Sequence, residues 1–154
     1  MAVSHTHTLR TDGGARGNPG PGGAGFVLED SGGAVVRRGG RFLGSVTNNV
    51  AEYEALIWGL ETALDHGVAR LRVCADSELV VRQMNGIYRV KNEGLKPLFA
   101  RAQALLRRFA SVEIVHVRRE QNAAADELAN TAMDGRATVG DGVDPDDPAQ
   151  PPLF

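Results

Sequence analysis

Apolar positions follow two rhythms along the chain, and the change falls near residue 47. Up to residue 46 the sequence is a series of short apolar runs separated by glycines. Phe26-Val27-Leu28 and the stretch from Val35 to Leu43 have strand character, with Ser31-Gly32-Gly33 as the turn between them. An earlier strand is expected over roughly residues 5–12, although that stretch is mostly His and Thr. From Asn48 the period becomes helical. Tyr53, Leu56, Leu60, Ala63 and Leu64 recur at three- and four-residue steps, and Gly67 suits a C-cap. Leu71 to Ala75 alternates like a strand and leads into a helical segment from Ser77 to about Gln83. A longer amphipathic helix fits Leu95 to Phe109, and Val112 to Val117 is a β-branched run. Asn122 is a good N-cap for a final helix to about Met133. Three hairpin-linked strands followed by strand–helix alternation predict an α/β fold, with one mixed sheet and helices packed on its faces.

The periodicity stops near Arg136. Residues 137–154 (ATVGDGVDPDDPAQPPLF) show no apolar rhythm and hold four of the seven prolines. They read as a disordered, acidic, Pro-rich tail after a domain spanning 1–136. With 154 residues, 42% apolar and 23% charged, one globular core is the expectation. The single cysteine, Cys74, excludes a disulfide framework and a CxxC zinc site, and reads as a small buried residue. No run approaches the ~18 apolar residues of a membrane span, and MAVSHTHTLR lacks an apolar signal segment. A cytoplasmic protein without a membrane partner is expected. The net charge of −2 argues at first sight against a nucleic-acid partner. However, the tail contributes four aspartates and no Lys or Arg, so residues 1–136 carry 17 basic against 15 acidic side chains.

Four acids sit where strands end or helices begin. Asp12 ends the first strand and precedes a Gly-rich stretch at 13–23, which is either a flexible hairpin turn or a place where backbone approaches a ligand. Glu52 lies in the first turns of the helix opened by Thr47-Asn48-Asn49, on the face that packs on the sheet. Asp76 closes the fourth strand just before Ser77, and Asp126 opens the last helix. Singly, each has an ordinary reading as a cap or as a partner of a helix dipole. If the first and fourth strands are neighbours, all four can approach one sheet edge. Carboxylates clustered without His or Cys suit hard cations such as Mg²⁺ or Mn²⁺, and two such ions can serve both oxygens of a phosphodiester cleavage.

These residues carry a family resemblance. The segments T-D-G-G-A-R-G-N-P-G-P-G-G at 11–23, T-N-N-V-A-E-Y-E-A-L at 47–56, A-D-S-E-L-V-V at 75–81 and N-A-A-A-D-E-L-A-N at 122–130 resemble type 1 ribonuclease H, over roughly residues 8–135. The resemblance implies the ribonuclease H-like fold, a five-stranded mixed sheet of three antiparallel then two parallel strands flanked by helices. It implies that Asp12, Glu52, Asp76 and Asp126 are catalytic and bind two Mg²⁺ or Mn²⁺ ions. The implied reaction is hydrolysis of the RNA strand of RNA–DNA hybrids, leaving 3′-hydroxyl and 5′-phosphate ends. Asn18, Asn48 and Asn49 match contacts to the RNA backbone and its 2′-hydroxyls, which distinguish RNA from DNA. Thr47 matches a DNA-phosphate contact, and Ser77 a further substrate contact.

The chain departs from that pattern in three ways. The flexible loop His before the last helix is missing, because the strand at 112–117 runs almost directly into Arg118-Arg119-Glu120. His116-Val117-Arg118-Arg119-Glu120 matches the W-V-P-R-E segment of short-loop bacterial and archaeal members, and Arg119 becomes the basic residue nearest the site. His116 itself reads as a strand histidine with a packing role, while His5 and His7 read as part of the first strand. The basic, Trp-containing protrusion is also absent, which leaves Arg82, Arg89, Lys91 and Lys96 as a modest basic ridge. Short-loop relatives sometimes cut double-stranded RNA as well, so that is a second substrate to consider. A binding module without activity and a resolvase- or integrase-like enzyme are the competing readings. Against them stand the complete set of acids and the T-N-N-x-A-E-Y and G-N-P-G-P-G segments. Finally, Gln150-Pro151-Pro152-Leu153-Phe154 resembles a sliding-clamp docking peptide, and the acidic tail resembles that of single-stranded-DNA-binding proteins. A monomer is expected.

Overall fold

Glycine governs how closely the layers of this fold approach one another. In the computed structural model, which describes residues 5–144, the chain forms β1 (Thr6–Ala15), β2 (Gly20–Glu29), β3 (Val35–Val46), α1 (Asn48–Asp65), β4 (Arg70–Ala75), α2 (Glu78–Met84), α3 (Lys96–Leu106), β5 (Ser111–His116), α4 (Ala123–Gly135) and β6 (Val139–Gly140). One sheet holds the strands in the order β5-β4-β1-β2-β3-β6. β1, β2 and β3 form an antiparallel meander, and β4 and β5 extend it with parallel pairing on the other side of β1.

α1 covers one face of the sheet. Its Leu56, Trp58, Leu60 and Ala63 meet Leu9, Phe26 and Leu28 from the strands in a single core cluster, and Phe26 packs edge-on against Trp58 at 4.9 Å. α3 buries Ala102 and Leu105 in the same layer. α4 lies on the opposite face, over β2 and β3. It comes so close to β2 that a Cβ on Gly25 would sit 2.1 Å from the Ala125 carbonyl oxygen. The residues from Gly20 to Gly25 are therefore strand, and only Arg16 to Pro19 form the hairpin turn.

Parallel register decides which strand ends become neighbours. Thr11 pairs with Ala75, and Ala75 with His116, so the residues that follow, Asp12 and Asp76, emerge side by side. β1 is a regular strand of ten residues, which is longer than its polar sequence suggested. The third helix is shorter at both ends than the expected Leu95–Phe109.

The C-terminal boundary differs from expectation. The sheet has six strands, because Val139–Gly140 pairs antiparallel with Gly39 and Gly40 of β3. Val143 is buried, its carbonyl accepts the Trp58 indole N–H at 2.8 Å, and its own N–H donates to Thr62 Oγ1 at 3.2 Å. A buried indole needs an acceptor, and the segment after Arg136 supplies it. Asp141, read from sequence as tail charge, accepts the Arg38 backbone N–H at 2.7 Å. Residues 145–154, including the Gln150–Phe154 motif, lie outside the described residues. Among the described residues no helix is long and apolar enough to cross a membrane.

Candidate active site

Three backbone features bring the acids together. The β1–β4 register sets Asp12 beside Asp76. Gly13 then lets α1 approach, since a Cβ there would lie 2.2 Å from the Ala51 carbonyl oxygen, and this close approach brings in Glu52. α4, seated on Gly25, brings Asp126 from the other side. One carboxylate oxygen each from Asp12, Glu52 and Asp76 lie within 4.8 Å of one another. The Asp126 carboxylate lies outside that trio but faces the same cleft, and its charge acts on Asp12. All four line a cleft of about 890 Å³.

The electrostatics follow from that crowding. Asp12 is 6% exposed. Burial first, then the contact with Asp126, then the charges of Glu52, Asp76 and Asp126 push its carboxyl up to about 10. Burial and the Asp76 charge push Glu52 up to about 8, against the lowering influence of the Gly13 N–H, Asp12 and Arg119. A set of carboxylates this close cannot all ionise without a compensating charge. The donors are oxygens only, which fits a hard divalent cation, and such an ion would restore the charged forms.

The other expected residues fall into groups. Asn48, Asn49, Ser77 and Arg119 line the cleft with the acids, whereas Asn18 and Thr47 lie outside its lining. Asn18 and Asn48 interlock: Asn18 Oδ1 accepts the Asn48 N–H at 3.0 Å, and Asn48 Oδ1 accepts the Ala15 N–H at 2.8 Å. Thr47 and Ser77 cap α1 and α2, their hydroxyl oxygens accepting the N–H groups of Val50 and Val80, each at 3.3 Å. Arg119 is exposed, with Nη2 at 3.9 Å from Asp126 Oδ1. In the expected basic ridge, Arg82 pairs with Glu78 at 2.8 Å and stacks on Tyr88, while Lys96 pairs with Glu93.

Two residues behave differently from their sequence reading. Asn122 precedes α4, but its side chain makes no capping bond. It is fully buried, and Nδ2 donates to the carbonyl of Thr11 at 2.8 Å, with the Cys74 carbonyl at 3.4 Å. It thus ties β1 and β4 together beneath Asp12 and Asp76, a role that sequence reasoning missed because the partners are 111 and 48 residues away. His116 is exposed rather than packed. It lines the cleft at the end of β5, with Nε2 at 3.2 Å from the Asp76 carbonyl oxygen.

The chain is similar to known proteins in sequence and in fold. A family model described as reverse transcriptase-like matches residues 10–132. Ribonuclease HI of Halobacterium salinarum is 44% identical over 80% of this chain and 62% of its own length. The crystal structure of RNase H1 from that archaeon superposes with a TM-score of 0.83, covering 84% of this chain and 98% of that one. The bifunctional protein Rv2228c of Mycobacterium tuberculosis is 44% identical over 84% of this chain, which spans only 36% of that protein. LC11-RNase H1, solved in complex with an RNA/DNA hybrid, is 44% identical with a TM-score of 0.80, covering 84% of this chain and 98% of that one. On sequence and fold alike, the chain belongs to the type 1 ribonuclease H family.

Proposed function

We propose that this protein is an endoribonuclease that hydrolyses the RNA strand of RNA–DNA hybrids and leaves 3′-hydroxyl and 5′-phosphate ends. The observation that carries the reading is the convergence of Asp12, Glu52 and Asp76 oxygens within 4.8 Å, with Asp126 lining the same cleft. The hybrid-bound LC11 relative, at 44% identity, supports the substrate class. Asp12, Glu52, Asp76 and Asp126 would hold Mg²⁺ or Mn²⁺, two ions when substrate is bound. Bound there, the ions supply Lewis-acid activation of water and stabilisation of the departing 3′-oxygen.

The chain's own residues orient the substrate. Asn18 and Asn48 have their amide oxygens engaged internally, so each presents its NH₂ group as a donor to the RNA backbone, and Asn49 contributes a further amide from the cleft wall. Thr47 and Ser77 accept with their oxygens as caps, which leaves each hydroxyl proton free to donate to a phosphate. Arg119 adds positive charge beside Asp126. Setting aside the four acids, residues 1–136 carry 17 basic and 11 acidic side chains, a balance suited to a phosphate backbone.

Cleavage assays on hybrid, double-stranded RNA and DNA duplexes, each with Mg²⁺ or Mn²⁺, test the reading. Hybrid cleavage with an intact DNA duplex is the expected result, and no hybrid cleavage with either ion overturns it. Cutting of double-stranded RNA in the same assay would add a second substrate. The protein acts as a cytoplasmic monomer in this reading, and residues 150–154 are a candidate contact for a sliding clamp, with the acidic tail a candidate contact for a single-stranded-DNA-binding protein. Equal clamp binding with and without residues 150–154 would remove the first of these contacts.

A further inference from the structure

The fourth carboxylate reaches the cluster from a different wall of the cleft. Asp12 and Asp76 are fixed by paired strands, and Glu52 by the close approach of α1 to Gly13. Asp126 stands on α4, with Arg119 Nη2 at 3.9 Å from its Oδ1. Its Oδ2 accepts a hydrogen bond from Asn130 Nδ2 at 3.3 Å, one helical turn further along. The other end of that amide, Oδ1, lies 3.5 Å from Arg16 Nη2, and the same Nη2 pairs with Asp134 Oδ1 at 2.7 Å. Arg16 sits in the turn after β1, so its side chain spans from the Gly-rich segment to α4 along the cleft, which Arg16 and Asn130 both line.

We infer that Arg16 and Asn130 form a positioning relay that aims Asp126 for cation binding; the inference rests on the reading of Asp126 as a cation ligand. The physical reason is the polarity of the amide. A guanidinium has only donors, so it holds the carbonyl end of Asn130 toward itself and turns the NH₂ end toward Asp126. Without Arg16 the amide is free to flip, and a carbonyl oxygen facing the carboxylate would repel it. The Arg16–Asp134 pair is 48% and 68% exposed, so it contributes little to global stability. Its service is therefore to orientation.

The test measures Mn²⁺ binding by calorimetry on the full chain without nucleic acid, beside melting temperature and hybrid-cleavage kinetics. Asn130→Ala should weaken Mn²⁺ binding about tenfold, as expected for a partner behind a metal ligand, and lower kcat with KM for the hybrid unchanged. Arg16→Met should weaken it in the same direction, because it removes the donor that faces Asn130 Oδ1. The double variant should be no weaker than Asn130→Ala alone, and melting temperatures should stay near the parent value. Parent-like Mn²⁺ affinity in Asn130→Ala, or additive losses in the double variant, would overturn the relay. Asp126→Asn separates the two readings. If it binds Mn²⁺ as the parent does, the ligand assignment fails and takes the relay with it. If it weakens binding while Asn130→Ala does not, the relay alone fails.

Discussion

Asp12 shows how a residue's chemistry depends on its neighbours. Its carboxyl rises from an ordinary 3.8 to about 10 because it is buried among three other acids. The folded state then binds more protons than the unfolded state, so this group's contribution to stability falls as pH rises from about 4 toward 10. Asp12→Asn should therefore raise the melting temperature of the cation-free protein at pH 8, by at least about 3 °C or roughly 1 kcal/mol. The gain should shrink toward pH 4 in calorimetric scans with EDTA; no gain at pH 8 would contradict the assigned burial cost. Protons and cations compete for the same oxygens, so Mn²⁺ affinity should climb as pH rises through about 8, where Glu52 loses its proton. Asp76→Asn should cut turnover on the hybrid by more than about a hundredfold, since even partners behind a metal ligand are worth 10–100-fold. Its circular dichroism should match the parent, and a fully active variant would remove Asp76 from the ligand set.

At the scale of elements, the spacing between helix and sheet decides whether the acids meet. A methyl group at Gly25 would press on the Ala125 carbonyl oxygen and lie 2.9 Å from the Ala129 N–H, both part of the helix that bears Asp126. Gly25→Ala should cost about 1–3 kcal/mol of unfolding free energy as an overpacked interface, and it should lower kcat as well because α4 moves. Gly135→Ala is the control: no atom outside its neighbourhood lies within 4 Å, so stability should change by less than about 0.5 kcal/mol. Denaturant melts and single-turnover rates read both effects. The helical and strand rhythms that predicted these elements are visible in sequence because apolar spacing reports which face is buried. The function of Gly25 is not visible there, since a glycine in a strand and a glycine in a turn look alike until the helix above is placed. Asn122 is a similar case. Its residue type suggests a cap, and its backbone carbonyl partners belong to strands far away in the chain.

For the molecule as a whole, the main difference lies at the C-terminal end. The residues after Arg136 lack an apolar rhythm, yet Val139–Gly140 closes the β3 edge and Val143 covers Trp58. Ending the chain at Arg136 rather than at Asp144 should cost about 2.5–6 kcal/mol, the sum of one buried valine and two buried hydrogen bonds. A thermal melt compares the two chains, and a red shift of Trp58 fluorescence should accompany the loss. Identical melting and emission would mean that this segment contributes nothing.

The sequence alone determined the class of fold and singled out the four acids as candidates, because strand and helix periods and the four motifs are local patterns. Their ordinary alternatives as caps and dipole partners could not be dismissed one at a time, since each reading is equally local. Tertiary structure decided the rest. The parallel register of β1 with β4 sets Asp12 beside Asp76, close approach at Gly13 and Gly25 brings in Glu52 and Asp126, and a buried indole recruits residues that read as tail. Each depends on partners distant in the chain, and a pattern read residue by residue carries no information about which distant backbone will be in contact.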